Sequence, residues 1–175
     1  MPDGESKSKG FYTEIIKEDE IDEVVALIRE NLASFQEAGS VLAATYRRLN
    51  QFYMVYHAKG SAYVTAKNSE GKIVGGAGIG AFAGLSPSEK IGEIRELVVG
   101  ATYRGQGAGR IILQSCIDRA IDIGYERIYL ETTPQMKRAQ KLFTGFGFRP
   151  VSLGENQSQE EDDIPFYFML DRTKN

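Results

Sequence analysis

Cysteine, histidine and tryptophan are nearly absent from this chain of 175 residues, which has one cysteine, one histidine and no tryptophan. A single cysteine excludes a disulfide within the chain and a cysteine-rich metal cluster. No apolar run reaches the ~18 residues that a membrane-spanning helix needs, and residues 1–10 lack the apolar core of a signal peptide. We therefore expect a cytoplasmic protein with no metal and no membrane partner.

The chain also lacks an excess of positive charge. It has 21 lysine and arginine residues against 24 aspartate and glutamate residues, which gives a net charge of −3. Because proteins that bind nucleic acid without sequence preference are normally basic, a nucleic-acid partner is disfavoured. The 42% of hydrophobic residues suffices for a buried core without disulfides. We expect residues 1–10 to be a disordered tail and residues 11–175 to be a single domain.

The spacing of apolar residues predicts an alternation of helices and strands after the tail. The predicted elements are, in chain order, helices over 21–35 and 41–53, strands over 62–67, 72–82 and 92–99, a helix ending at about Gly124, a strand over 127–131, a helix over 134–144, and strands over 149–153 and 166–171. This order of elements predicts an α/β (α+β) fold with a mixed sheet.

The most informative segment is Arg104-Gly105-Gln106-Gly107-Ala108-Gly109, between the strand over 92–99 and the helix that follows. Its glycines permit left-handed backbone conformations and the close approach of a ligand. A helix that begins there directs free N–H groups and a partial positive charge towards what lies in front of it. These features predict a site for an anion such as a pyrophosphate. The nucleotide P-loop pattern is excluded, because Arg110 and Ile111 follow the last glycine in place of lysine and serine or threonine.

A second group of glycines, at positions 75, 76, 78 and 80, has a different explanation. Residues 78–83 fit a loosened dinucleotide-binding pattern, G-x-G-x-x-A, but loop residues rather than a helix follow them. We therefore predict a strand against which a neighbouring group packs closely.

The pattern Arg104-x-x-Gly107-x-Gly109 resembles the pyrophosphate loop of the GNAT superfamily of acetyl-CoA-dependent N-acetyltransferases. Residues 93–99 resemble the family's fourth strand, and residues 139–148 resemble its later A-x-x-L-Y…G-F segment. The resemblance covers nearly all of the chain, from about Phe11 to Arg172. It implies a mixed, mostly antiparallel central sheet of roughly six to seven strands, flanked by about four helices.

The resemblance also implies an activity, which is direct transfer of the acetyl group of acetyl-CoA to a primary amine of a small molecule or peptide. In the family, the fourth strand carries a bulge, pairs with the pantetheine arm and supplies the oxyanion donor. The residues implied to bind acetyl-CoA are Leu97, Val98, Val99, Arg104, Gly105, Gln106, Gly107, Ala108, Gly109 and Arg110. The alternative is a non-catalytic sensor or interaction module that binds acyl-CoA. The acceptor stays open, as does the oligomeric state, for which a homodimer is one candidate.

Two glutamates of the predicted fourth strand are candidates for the general base. Glu93 lies where several family members keep a catalytic glutamate, and Glu96 is the neighbouring candidate. On a regular strand these two side chains have opposite parity, so at most one faces the site unless a bulge intervenes. The alternatives are a chain of water molecules, no base at all, or carboxylates that are solvated or paired with Arg95.

Two positions depart from the family pattern. Phe143 replaces a tyrosine that often protonates the departing thiolate, and Met136 replaces an asparagine that often binds the cofactor. Other tyrosines are candidates to substitute for the missing hydroxyl, namely Tyr103, Tyr125 and Tyr129. These departures keep the sensor alternative open.

The remaining residues that could carry chemistry have simpler explanations. A solvated helix face is the favoured explanation for Lys137, Arg138, Lys141 and Arg149, and core packing is favoured for Cys116, Phe52, Tyr53, Tyr56 and Tyr63. His57 has no partner pattern and is expected to be structural or exposed. The acidic segment over 160–163 is expected to lie in a solvated loop rather than to attract a cationic acceptor.

Overall fold

The computed structural model describes residues 10–33, 40–82, 85–132, 136–151 and 166–174, which contain seven strands and five α-helices. They are β1 (Phe11–Ile15), α1 (Ile21–Ala33), α2 (Ser40–Asn50), α3 (Phe52–His57), β2 (Ala62–Asn68), β3 (Ile73–Ala81), β4 (Ile91–Val99), α4 (Ala108–Ile123), β5 (Arg127–Thr132), α5 (Lys137–Gly145), β6 (Arg149–Val151) and β7 (Phe166–Asp171). Within these ranges, no helix has the length and apolar character of a bilayer-spanning segment.

The seven strands form one sheet in the order β1-β2-β3-β4-β5-β7-β6. Every pair of neighbours is antiparallel except β4 and β5, which run parallel. The helix α4 connects these two strands, as a parallel crossover requires. The predicted fold class, a mixed and mostly antiparallel sheet of six to seven strands, is confirmed.

Two differences from the predicted elements concern the N-terminal half of the chain. The helix expected over 41–53 divides at Gln51, whose backbone leaves the helical region (φ −126°, ψ 31°), into α2 and α3. The strand β1 was not predicted. Its pattern of buried Phe11 and Thr13 alternating with partly exposed Tyr12 and Glu14 is the period of a half-buried strand, so the signal was present but short.

Side chains of successive strand residues point to opposite faces of the sheet, and different helices cover the two faces. On the α4 face, apolar side chains of the central strands pack against α4, as Ile94, Ile128 and Leu130 do with Ile112 and Leu113. On the opposite face, the α1–α3 face, a second apolar cluster joins α1 and α3 to Tyr63, Ile73 and Val98. The α1–α3 face also carries most of the charged side chains of the central strands, and these position the candidate site.

Several predictions fall on residues outside the described ranges. These are residues 1–9 of the expected tail (Gly10 is described, in a turn), the ends of the predicted elements over 34–35, 134–135 and 152–153, and the acidic segment over 160–163. The expectation of a single domain over 11–175 stays a prediction.

Candidate active site

A bulge in β4 decides which side chains face the site. Gly76 of β3 lies opposite Val98, and Gly78 lies opposite Arg95, so the single residue Ala77 faces both Glu96 and Leu97. The extra residue is accommodated at Glu96, whose φ of 49° lies in the left-handed region. The bulge that the family resemblance implied is therefore present in β4.

The consequence of the bulge is that the Arg95 and Glu96 side chains both lie on the α1–α3 face. The guanidinium of Arg95 lies over the ring of Tyr56 from α3, with its carbon 5.9 Å from the ring centroid. Glu96 pairs with Arg48 from α2. Glu93 precedes Arg95 by two residues and shares its face, whereas Ile94 between them is buried against α4. Glu93 and Glu96 thus do not lie on opposite faces.

The Glu96 side chain is fully buried in an ion pair. Its Oε1 accepts from Arg48 Nε at 2.7 Å and lies 2.6 Å from Arg48 Nη2, and the side chain has an exposed fraction of 0%. Burial raises the pKa of this carboxyl, and the Arg48 charge and hydrogen bond oppose that rise. Its Oε2 has no hydrogen-bond partner in the described part of the chain. The Tyr63 hydroxyl donates to the Glu96 carbonyl at 3.0 Å and thereby fixes the bulge.

A third carboxylate of this face belongs to β5, the strand next to that of Glu93. Glu131 of β5 lies opposite Tyr167 of β7 in the ladder, and the Tyr167 hydroxyl hydrogen-bonds to the Glu131 carboxylate. Burial and the negative charge of Glu93 raise the pKa of Glu131 to about 7, against the lowering effects of the Arg48 charge and the Tyr167 hydrogen bond. Burial and the same carboxylates raise the pKa of Tyr167, so its hydroxyl stays protonated.

The glycines of β3 make room for this polar cluster. A Cβ atom at Gly78 would lie 2.2 Å from the Tyr56 ring, and one at Gly80 would lie 1.7 Å from a terminal nitrogen of Arg95. Any larger residue would displace these two side chains. The prediction that a neighbouring group packs closely against this strand is confirmed. Tyr56 Oη and Arg95 Nε are both buried without a hydrogen-bond partner within the described ranges, so two donors of this face are available.

The strands β4 and β5 separate beside the bulge. Their ladder ends with Ile94 opposite Leu130, although β4 continues to Val99 and β5 to Thr132. On its other edge β4 stays paired with β3 as far as Val99. The edge of residues 97–99 that faces β5 therefore lies beyond the last rung of the ladder. Backbone groups on such an edge can pair with an extended ligand, as in strand addition.

The glycine segment begins at the end of this open edge. After a 3₁₀ turn, Gly105 and Gly107 have φ values of 77° and 92°, and α4 begins at Ala108. The first i→i−4 hydrogen bond of α4 joins the Ile111 N–H to the Gly107 carbonyl at 3.3 Å. The N–H groups of residues 108–110 precede it and have no acceptor within the helix. A Cβ atom at Gly105 would meet nothing within 4 Å, so the turn is open.

Comparison with known proteins identifies the family to which this chain belongs. A family model described as "Acetyltransferase (GNAT) family" matches residues 14–148. The chain belongs to this family. The predicted family is confirmed, and its description is that of an acetyltransferase family.

The GNAT assignment agrees with two curated relatives. The "Uncharacterized N-acetyltransferase YjgM" of Escherichia coli is 34% identical over 103 residues, which are 59% of this chain and 60% of that protein. The "Uncharacterized N-acetyltransferase YsnE" of Bacillus subtilis is 36% identical over 75 residues, or 42% of this chain and 48% of that protein. The matched part is less than two thirds of either relative's length.

Solved structures show the same fold. A GNAT-family acetyltransferase from Staphylococcus aureus superposes with a TM-score of 0.72 at 18% identity and covers 93% of this chain and 99% of that one. The protein yncA of Salmonella typhimurium, solved with its cofactor acetyl-CoA, has a TM-score of 0.74 at 14% identity and covers 95% and 96% of the two chains.

Among the predicted cofactor residues, three side chains of the GNAT loop contact the protein itself. Arg104 donates to Asn31 Oδ1 at 2.7 Å and to the Val99 carbonyl at 3.3 Å, which connects the loop to α1. Gln106 donates to the Thr102 carbonyl at 3.0 Å, and the Arg110 guanidinium lies 5.7 Å from the centroid of the Phe146 ring. These three residues are exposed, and each side chain has a contact within the protein.

The tyrosines that were candidates to replace the missing hydroxyl have other surroundings. Tyr103 packs edge-on against Phe11, and Tyr125 is buried and donates to the Gly60 carbonyl at 2.7 Å. Tyr129 stacks on Phe82, with ring centroids 4.5 Å apart, and lies on the face of Glu93. Phe143 is buried in the apolar core.

Among the other candidates that the structure describes, the simpler explanations hold except for Tyr53. The prediction of core packing is wrong for Tyr53, which is 49% exposed because Phe52 and Tyr56, one turn apart on α3, are the residues of that helix that face the core. Cys116 is fully buried on α4, and burial raises the pKa of its thiol to about 12. His57 is exposed and stacks on the exposed Tyr53. The basic residues of the later helix and strand, Lys137, Arg138, Lys141 and Arg149, are exposed, the aromatic residues Phe52, Tyr56 and Tyr63 are buried, and Met136 is half-buried at the start of α5.

Three residues of the polar cluster were not predicted from the sequence. They are Arg48, Glu131 and Tyr167. Glu131 had a recognisable signal, since it lies two residues after Tyr129 in a strand whose intervening positions are apolar. Arg48 and Tyr167 had none, because only the packing of α2 and the register of β7 bring them to Glu96 and Glu131.

Proposed function

We propose that this protein is an N-acetyltransferase that moves the acetyl group of acetyl-CoA directly to a primary amine of a small molecule or peptide. The observation that carries the proposal is the open edge of residues 97–99, which lies between the bulge at Glu96 and the glycine turn at residues 104–109. One continuous stretch of backbone thus offers a strand edge with which β5 does not pair, followed by a helix start that suits an anion.

The residues of this stretch fit an extended ligand with a diphosphate. The backbone of Leu97, Val98 and Val99 would pair with the extended arm, and the N–H groups at the start of α4 would bind the diphosphate. The positive φ of Gly107 turns the chain into the helix there, and the space at Gly105 leaves the turn accessible. These contacts require no particular side chain, which agrees with the hydrogen bonds that Arg104 and Gln106 make to backbone carbonyls of the chain itself.

Acetyl-CoA would supply the acetyl group as a thioester, and the chain would supply the surroundings of the amine. The α1–α3 face offers three carboxylates, Glu93, Glu96 and Glu131, and two guanidiniums, Arg48 and Arg95. Such a face suits a cationic amine that must lose a proton before it attacks. Backbone N–H groups of β4 beside the bulge are suitable donors to an oxyanion.

The first test measures binding by calorimetry with acetyl-CoA. Gly107→Ala places a side chain at φ 92° and should weaken binding about 5- to 30-fold, because the turn must rearrange to relieve a strain of about 1–2 kcal/mol. Gly109→Ala is the matched control, since its Cβ atom would meet its neighbours at 3.6 Å or more, an ordinary contact. Wild-type protein that takes up no acetyl-CoA would disprove the proposal.

The second candidate is an acyl-CoA-binding sensor, which the buried and hydroxyl-free Phe143 favours. Release of free thiol on mixing the protein with acetyl-CoA and a panel of amines separates the two candidates. A transferase releases thiol in proportion to the amine, whereas a sensor binds acetyl-CoA and releases none. A cytoplasmic location and a homodimer stay predictions, which fractionation and light scattering can test.

A further inference from the structure

We propose that Glu131, and neither Glu93 nor Glu96, is the general base that takes the proton from the acceptor ammonium group. This inference rests on the proposed function. It assigns the proton transfer to a residue of β5, outside the strand on which the sequence placed both candidates.

The position of Glu131 at the separation of the two strands is the first reason. It directly follows Leu130, the last residue of β5 that pairs with β4, and it lies on the same face as Tyr129 and Glu93. Its carboxylate therefore lies where β4 and β5 diverge, next to the open edge of residues 97–99. A thioester held along that edge would have this carboxylate beside it.

The surroundings of the other two carboxylates are the second reason. Glu96 has no exposed side-chain surface, and its Oε1 is paired with Arg48, so an incoming ammonium would have to reach a carboxylate that solvent does not contact. Glu93 lies beside Arg95, and its negative charge favours the charged form of that guanidinium. Glu131, by contrast, accepts its hydrogen bond from the Tyr167 hydroxyl, which is neutral.

The groups that face Glu131 from the surrounding elements are Glu93 from β4, Tyr167 from β7 and Arg48 from α2. Burial and the Glu93 charge raise the pKa of Glu131 to about 7, and the Arg48 charge and the Tyr167 hydrogen bond lower it. A base is most effective when its pKa lies near the working pH, because it is then both ionised and basic. Tyr167 occupies one lone pair of the carboxylate and so acts as a positioning residue.

The proposed step is a single proton transfer. The Glu131 carboxylate accepts one proton from the acceptor ammonium, the nitrogen keeps the electron pair of the broken N–H bond, and the proton passes to solvent before the next turnover. A lysine-like amine is neutral in roughly one molecule in 2,500 at pH 7. A positioned base contributes about 10²–10⁴-fold to the rate.

The kinetic test compares the pH dependence of kcat/KM in four proteins. Wild type should lose activity below a pH of about 7, and Glu131→Gln should lose that acidic limb together with about 10²–10⁴-fold in rate. Tyr167→Phe removes a bond that lowers the pKa of Glu131 and should move the limb to higher pH. Glu93→Gln removes a charge that raises this pKa and should move the limb to lower pH.

The result that overturns the inference is the opposite assignment. If Glu93→Gln abolishes the limb and Glu131→Gln merely shifts it, Glu93 is the base. A control variant, Glu126→Gln, changes an exposed glutamate close in sequence that pairs with Lys90. It should leave both rate and limb as in the wild type, and any loss with Glu131→Gln can be compared with it.

A second measurement needs no turnover. Carbon-13 NMR of the glutamate carboxyls, with Glu131 assigned from the spectrum of Glu131→Gln, should show a midpoint near 7 that moves up in Tyr167→Phe and down in Glu93→Gln. A Glu131 midpoint near its ordinary value of about 4.3 would overturn the inference.

Calorimetry separates failure of the inference from failure of the proposed function. Glu131→Gln should bind acetyl-CoA within a factor of about two of wild type. If wild type binds acetyl-CoA and releases thiol with an amine while Glu131→Gln keeps the wild-type limb, the inference alone is wrong. If wild type releases no thiol with any amine, the proposed function fails and the inference fails with it.

Discussion

The two faces of the central sheet are built from the same strands and have opposite character. Along β4 and β5, Ile94 and Leu130 point to α4 and lie in an apolar core, while Glu93 and Glu131 point to the other side and lie among charges. The period of two in a strand permits this division, because neighbouring residues serve different faces. The α4 face stabilises the fold, whereas on the α1–α3 face Tyr56 Oη, Arg95 Nε and Glu96 Oε2 are buried polar atoms that have no hydrogen-bond partner among the described residues.

The largest effect should follow from removing Arg48, one of the two guanidinium groups of the α1–α3 face. Arg48→Met leaves the fully buried Glu96 carboxylate without its partner, which costs about 3–5 kcal/mol of the free energy of unfolding. Because burial raises the pKa of Glu96 and Arg48 holds it down, the variant's Glu96 should become neutral more easily. The loss of free energy of unfolding should therefore be greater at pH 8, which favours the ionised Glu96 carboxyl, than at pH 5. Urea denaturation at both pH values measures it.

The control for this variant is the double change Arg48→Met with Glu96→Gln. It removes the charge that lacks a partner and should recover most of the stability at pH 8. A loss in Arg48→Met that is equal at the two pH values, or a double variant as unstable as the single one, would contradict the assignment of a buried ion pair.

A comparable but pH-independent loss is expected on the α4 face. Leu113→Ala deletes a side chain with an exposed fraction of 0% from the apolar core and should cost about 2–5 kcal/mol, because it leaves a cavity that the packed strands fill only partly. Urea denaturation at pH 5 and pH 8 should give the same difference. Met54→Ala, at a side chain that is 72% exposed, should stay within about 0.5 kcal/mol of wild type. A pH-dependent loss in Leu113→Ala would weaken the contrast between the faces.

The smallest of these effects concerns the space above β3. Gly78→Ala places a methyl group 2.2 Å from the buried Tyr56 ring, and the displacement of that ring should cost about 1–3 kcal/mol. Gly145→Ala, whose methyl group would have no neighbour within 4 Å, should be neutral or slightly stabilising in thermal unfolding. If both substitutions shift the melting temperature equally, close packing on this face is not the reason for the glycine.

The sequence predicted the elements better where the signal was local. The glycine turn before α4 was identified because its residues themselves permit positive φ values and an exposed helix start. The strand β1 was missed because five residues give a weak periodic signal. The break at Gln51 within the helix predicted over 41–53 was not predicted, because nothing in the apolar spacing indicates it.

For the candidate site, the sequence analysis identified the two glutamates of β4 as candidates but left open which face of the sheet each side chain occupies. A regular strand would place the Glu93 and Glu96 side chains on opposite faces. Because of the bulge, Arg95 and Glu96 lie on one face. Bulges depend on pairing with a neighbouring strand, so a periodicity within one strand does not reveal them.

What the sequence by itself determined is the family, the order of the elements and the loop of bare backbone before α4, since each depends on residues that are close in the chain. The tertiary structure alone decided which charges meet. Arg48 reaches Glu96 from another helix, and Tyr167 meets Glu131 through the register of two strands. The physical reason is that the pKa of a carboxyl depends on its burial and on the charges packed against it, and both are set by contacts between distant parts of the chain.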